Sequence, residues 1–218
     1  MSSLHDAIRT RRTTKVFAES PLDLPTDRDQ IDGLIEAAAW APFHRPAHKS
    51  HLTGEHDSLV PWRMYAVDAD GCRELRSRLL DSGDAGKLPQ MLAAAHAVVQ
   101  CTWLPDPPAA VDFDGLFEPT INNMEHIAAA GAAVEHLLLA ATEQGYETYW
   151  SSGGALRFPN AFGWLGIPLG EILLGAVFLF PSDETGTTRV PGKLRERRGD
   201  VRTWSRWVEL TDANGVGG

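Results

Sequence analysis

Eleven of the twenty Lys and Arg residues in this 218-residue chain fall into two short windows. Arg9, Arg11, Arg12 and Lys15 lie in the first, and Arg189, Lys193, Arg195, Arg197, Arg198, Arg202 and Arg206 lie in the second. Guanidinium forks chelate phosphate oxygens, and the Thr13 hydroxyl adds a neutral donor beside them. If the fold joins the two windows, they form a pocket for one multivalent anion. If it does not, each is a solvated charged face.

Other chemistries find less support. The chain has no Walker loop and no G-x-G-x-x-G, since Gly153 and Gly154 stand alone, so a phosphate has to be held by side chains. Without a G-x-S-x-G elbow or an H-E-x-x-H pair, hydrolase readings lack a nucleophile. His44, His48, His51 and His56 gather with Glu55 and Asp57 between Pro42 and Pro61. No pair of them sits on a helix face and no Cys joins them, so a metal site is not expected. The enlarged loop 43–60 reads as an active-site rim or lid, or as inert surface. Cys72 and Cys101 are too few for a disulfide scaffold, which implies buried reduced thiols and a cytoplasmic setting.

The elements that must position these residues follow from periodicity. With 43% apolar and 22% charged residues, 1–218 reads as one domain, and the net charge of −9 argues against nucleic-acid or anionic-membrane binding. The expected partner is a small molecule. The start of the chain lacks an apolar h-region, and Glu125, Glu135 and His136 interrupt the most apolar helix, so neither a signal peptide nor a membrane span is expected.

Ser3 caps a short helix carrying Leu4, Ala7 and Ile8, which runs into the first basic window. Thr26 and Asp29 have capping-box spacing for a second helix, bearing Ile31, Leu34, Ile35 and Ala38, which Pro42 stops. Strands are expected at 62–67 and 97–103, with helices at 70–80 and 87–95 between them. The strongest helix signal is 119–144, ended by Gly145. Its small-residue middle, 128–133, either admits a second backbone or a flat ligand or is simply buried. Residues 146–151 read as a strand, 158–165 as a helix opened by Pro159, and 172–180 as a buried central strand. Residues 181–207 form a basic tail, and 208–218 are expected to be disordered. Trp40, Trp62 and Trp150 read as core or interface residues.

The run 8–17, IRTRRTTKVF, is followed in order along the chain by Ala41-Pro42, Pro61-Trp62-Arg63, Trp150-Ser151-Ser152-Gly153, Leu165-Gly166-Ile167-Pro168 and Lys193-Leu194-Arg195. This ordered set resembles the FMN-dependent nitroreductase family, whose opening signature is a helix end followed by R-R-S and a basic residue two positions on.

The resemblance implies an α+β nitroreductase-like fold, a mainly antiparallel central sheet flanked by helices, in an intertwined homodimer with two FMN molecules at the interface. Helix 119–144 would be the central dimer helix. Arg11, Arg12 and Thr13 match R-R-S and would hold the FMN phosphate and ribityl chain; Lys15 matches the following basic residue, and Lys193 and Arg195 match the family's C-terminal K-x-R. Ser151, Ser152 and Gly153 resemble the T-S-G of one branch, where the backbone passes the flavin ring edge. N5 of the oxidised ring needs a donor, and glycine admits a peptide N–H without a Cβ in the way; an ordinary strand-end turn is the other reading. His44 matches a histidine of that branch which reaches the FMN of the partner subunit. Relatives pass from Ala-Pro to Pro-Trp in a handful of residues, whereas Pro42 and Pro61 are 19 positions apart. His48, in Pro46-Ala47-His48-Lys49-Ser50, also fits the pattern, and the choice stays open. Residues 87–90 resemble the segment that supplies polar contacts to the pyrimidine edge.

The implied reaction takes a hydride from NADH or NADPH onto FMN and passes two electrons to a nitroaromatic, quinone or similar acceptor in ping-pong order. No protein acid or base is obligatory in it. A reductive dehalogenase, a flavin-fragmenting enzyme, and a flavin-binding sensor or storage protein are the alternatives.

Overall fold

The apolar run near the end of the chain becomes β5 (Ile172–Phe180), an inner strand of a four-stranded sheet. The computed structural model describes residues 4–25, 27–52, 57–83, 86–182 and 184–210. The other elements are α1 (Leu4–Thr10), β1 (Thr14–Phe17), α2 (Arg28–Ala39), β2 (Trp62–Asp68), α3 (Ala69–Asp81), α4 (Lys87–Ala94), β3 (Ala97–Trp103), α5 (Ile121–Glu143), β4 (Glu147–Ser151), α6 (Pro159–Leu165) and β6 (Thr188–Pro191).

The main sheet has the order β2-β3-β5-β4, and each neighbouring pair is antiparallel. Side chains alternate between faces along a strand, and the two cores follow that alternation. Val99 and Cys101 of β3 pack with α2 and α5, through Ile31, Leu34, Ala133, Val134 and Leu137. Val98 of β3 and Phe178 of β5 pack with α3 and α4, through Cys72, Leu75, Met91 and Leu92. The small residues Ala129, Ala130 and Ala133 of α5 are buried in the first of these cores.

Polar residues also enter the interior. The Tyr65 and Thr102 hydroxyls both donate to the buried Glu171 carboxylate, at 2.8 and 2.5 Å, and pin the start of β5 to β2 and β3. Burial, with Glu171 alongside, pushes the Tyr65 phenol up from its ordinary range. The Tyr146 phenol is pushed up to about 12, first by burial and then by Asp27.

Several sequence expectations change. The helix at 28–39 is capped by Asp27, whose side chain accepts from the Gln30 N–H at 3.0 Å, in place of the Thr26 and Asp29 box; Thr26 and the cap residue Ser3 lie outside the described residues. The helix expected at 70–80 begins at Ala69 and is capped by Asp68. The Gly71 N–H, followed by Arg28, holds that carboxyl below its ordinary range. The greatest departure is a second sheet, in which β1 and β6 pair antiparallel from Thr14↔Pro191 to Phe17↔Thr188. The expected basic tail thus contains a strand, followed by short 3-10 turns at Arg195–Arg197 and Val201–Thr203. Of the tail expected to be disordered, 208–210 are described and exposed, and 211–218 lie outside the described residues. Trp62 is buried, whereas Trp40 is 80% exposed.

Candidate functional site

The chain leaves α1 through Arg11, Arg12 and Thr13, enters β1, and is met there by β6 returning from the far end of the sequence. The Gly192 N–H donates to the Thr13 carbonyl at 2.7 Å and extends the ladder by one bond. A Cβ on Gly192 would stand 3.1 Å from that carbonyl oxygen, so a residue without a side chain suits the close approach. Beyond Gly192 the chain turns across the end of α1, and the Arg195 guanidinium donates to the carbonyls of Arg9 and Thr10. A cation on the last carbonyls of a helix complements its dipole.

These segments enclose a cavity of about 330 Å³, lined by Arg11, Arg12 and Thr13 on one side and by Gly192, Arg195 and Arg198 on the other. The two basic windows therefore meet. Glu196 also faces the cavity, and Glu135 of α5 holds the Arg11 Nε at 3.2 Å. Four guanidinium groups tempered by two carboxylates, with one hydroxyl, form a donor set that fits a phosphate monoester. Lys193 is exposed next to the cavity but is not among its lining residues.

Lys15 lies further along β1, with its Nζ 5.0 Å from the centroid of the Tyr149 ring. A parallel bridge between Thr13 and Thr148 sets β1 beside β4. At the end of β4, Ser151 is buried and Ser152 exposed, and Gly153 has φ of +103°. A Cβ on Gly153 would meet Leu173 Cδ2 at 2.5 Å. The Gly153 N–H donates to Ser151 Oγ at 3.1 Å, so that amide is engaged within the turn.

The histidines of the enlarged loop separate into different roles. His44 is 79% exposed, with Nδ1 3.2 Å from the Glu125 carboxylate of α5, which Arg45 also approaches at 3.3 Å. Glu125 precedes Glu135 by ten residues on α5, about 15 Å at the helical rise. Within one protomer, His44 therefore does not join the arginine cavity. His48 Nδ1 accepts from the Ser50 N–H at 3.2 Å and caps the 3-10 turn Lys49–His51, and His51 Nε2 donates to the Pro105 carbonyl at 2.7 Å. His56 and Glu55 lie outside the described residues.

Lys87 and Gln90 come to the other end of β1. Lys87 Nζ is 5.9 Å from the Phe17 ring centroid, and both residues line an open cleft of about 740 Å³ with Phe17 and Thr188.

Sequence reasoning missed two contributors. Arg198 was visible only as one member of a charge cluster. Glu135 read merely as a polar interruption of an apolar helix. Among the described residues, no helix is long and apolar enough to cross a membrane.

Comparison with known proteins places this geometry in context. The Nitroreductase family model matches residues 8–179, a span that includes the Arg11–Thr13 side of the cavity and the Ser151–Gly153 turn but stops short of β6. A nitroreductase-like family protein from Bacillus cereus superposes with a TM-score of 0.60 at 20% identity, covering 92% of this chain and 97% of that one. A nitroreductase with bound FMN from Bacteroides fragilis gives a TM-score of 0.52 at 17% identity, covering 100% and 98%. A Parabacteroides distasonis protein named as an NADH dehydrogenase/NAD(P)H nitroreductase gives 0.54 at 16% identity, covering 94% and 98%. The antiparallel sheet between helical layers is thus the nitroreductase-like α+β fold, and by the family match over most of its length this chain belongs to the nitroreductase family.

Proposed function

We propose that the chain is an FMN-dependent oxidoreductase which uses NADH or NADPH to reduce small electron-poor acceptors such as nitroaromatics or quinones. The observation that carries this reading is the convergence of Arg11, Arg12 and Thr13 with Arg195 and Arg198 on one cavity. The FMN bound to the Bacteroides fragilis relative and the name of the Parabacteroides distasonis protein support it.

In this reading the arginine cavity holds the phosphate, and Lys193 at its rim adds long-range positive charge. From Thr148, beside that cavity, to Ser151 is three strand residues, about 10 Å, a span suited to a ribityl chain running towards the Ser151–Gly153 turn. Lys15 lies along that path and favours negative charge on the reduced ring. When bound, FMN supplies two-electron transfer at its ring; the protein orients it and leaves a face open to donor and acceptor in turn.

The active species is a homodimer in the cytoplasm. Trp40, Trp204 and Trp207 are 80%, 69% and 100% exposed, apolar side chains that a second copy would cover. His48 is engaged in its own turn, so His44 is the histidine available to reach the flavin of the other protomer.

Purified protein tests the whole reading. A yellow dimer, bleached rapidly under anaerobic conditions by NADH or NADPH and recoloured by a quinone or nitroaromatic, is the expected result. Tight FMN binding with negligible bleaching would favour a flavin-binding sensor, and a colourless monomer that ignores added FMN would overturn the proposal.

A further inference from the structure

The turn after β4 is held by a residue that belongs to none of the motifs considered above. Arg157 closes the 3-10 turn Gly154–Arg157, and its guanidinium reaches back across the turn. Nε donates to the Ser152 carbonyl, Nη1 to the Leu173 carbonyl at 2.6 Å and Nη2 to the Leu174 carbonyl at 3.3 Å. One side chain therefore ties the turn to the beginning of β5.

The rest of the turn depends on that tie. Leu173 fills the space under Gly153, where a Cβ would lie 2.5 Å from its Cδ2 and 3.2 Å from the Arg157 Cγ. Glu171, held by Tyr65 and Thr102, anchors the same end of β5 from the interior. With the Gly153 N–H donated to Ser151, the amide of the exposed Gly154 has no partner among the described residues. No carboxylate pairs with Arg157 among the described residues, so its positive charge is not neutralised locally.

We propose that Arg157 is the positioning residue of the flavin ring edge: it fixes the Ser152-Gly153-Gly154 turn so that the free Gly154 amide faces the ring. The inference rests on the FMN reading above and concerns the protein's own preparation for the ring. A rigid donor needs no reorganisation when the ring gains charge, and an unneutralised cation nearby acts in the same direction. Lys cannot reproduce a fork that serves three carbonyls, although it keeps the charge and a donor.

The test compares wild type with Arg157→Gln and Arg157→Lys by amide hydrogen exchange of 152–156 in FMN-free protein, FMN affinity by fluorescence, and the midpoint potential of bound FMN. In Arg157→Gln, exchange at the turn should rise and FMN affinity fall, each about tenfold, as the loss of one net charge-assisted bond implies. The midpoint potential should fall as well, and Arg157→Lys should recover part of all three changes. Wild-type exchange in Arg157→Gln, or faster exchange with unchanged affinity and potential, overturns the proposal. Should Arg157→Gln not fold, Arg157→Lys gives the same comparison at smaller amplitude. A wild-type chain that takes up no FMN overturns the functional reading itself, whereas normal uptake with unaltered variants overturns only the role of Arg157.

Discussion

Arg11 and Glu135 are joined by an ion pair, Nε to Oε1 at 3.2 Å, in which the arginine side chain is only 16% exposed. The pair ties the end of α1 to the middle of α5. By occupying Nε, the carboxylate fixes the plane of the guanidinium and leaves its two terminal nitrogens for the cavity. Arg11→Ala should weaken FMN binding by about ten- to a hundredfold, the value of one or two charge-assisted bonds. Arg11→Lys should recover little, because an ammonium cannot serve Glu135 and a phosphate in the same planar geometry. Fluorescence titration of the FMN-free protein measures both, and wild-type affinity in Arg11→Ala and Arg195→Ala alike would remove the cavity from consideration as a phosphate site.

Gly153 and Gly154 both have positive φ, at 103° and 55°, but only Gly153 is crowded. Alanine at 154 meets nothing within 4 Å and should cost about 1–2 kcal/mol from backbone strain alone. Alanine at 153 adds a clash with Leu173 and should cost about 2–4 kcal/mol. Urea unfolding of the two variants gives the comparison; equal losses would mean that Leu173 yields freely.

Gln100 is fully buried on β3, and neither its Oε1 nor its Nε2 has a hydrogen-bond partner among the described residues. Desolvating an amide without compensation is unfavourable, so an apolar residue of similar shape should do better. Gln100→Met is expected to raise stability by about 1–3 kcal/mol, read from the urea midpoint at unchanged m-value.

Burial pushes the Cys101 thiol up to about 12, and it also raises the thiol of the fully buried Cys72. Unfolded thiols ionise above about pH 8.5, whereas these remain protonated in the native chain, so the native state holds more protons as pH rises. Each thiol should therefore lower stability by about 1.4 kcal/mol per pH unit from about 8.5 towards 12. Unfolding free energies at pH 8, 9 and 10 should fall more steeply in wild type than in a Cys72→Ala, Cys101→Ala double variant, whatever the offset between them. Parallel profiles would show that the thiols are not shielded.

The parts of this fold that could be read from the sequence are those with local periodicity. Strand β3, strand β5 and helix α5 are long enough for their patterns to stand out, and they build the central layers. Strands β1 and β6 have four residues each and exist by pairing with each other across the length of the chain, a relation that no local window contains. The site divides in the same way. Arg11, Arg12 and Arg195 were visible as clustered charge, with Thr13 as a neutral donor beside the first two, and the structure brings them to one cavity. That His48 caps its own 3-10 turn by accepting from the Ser50 N–H, while His44 reaches Glu125 on α5, could not be read from the sequence. Arg157 and Glu135 act through partners distant in sequence, and nothing in their neighbours announces it.

The β1–β6 ribbon also sets a schedule. A nascent chain emerges from the ribosome N-terminal end first, so Arg11, Arg12 and Thr13 appear early, while the residues that complete their cavity, Gly192 to Arg198, emerge only after both layers of the core have been synthesised. A chain cut before β6 lacks one wall of that cavity, so on the FMN reading it should fail to hold the phosphate even where both layers of the core are present.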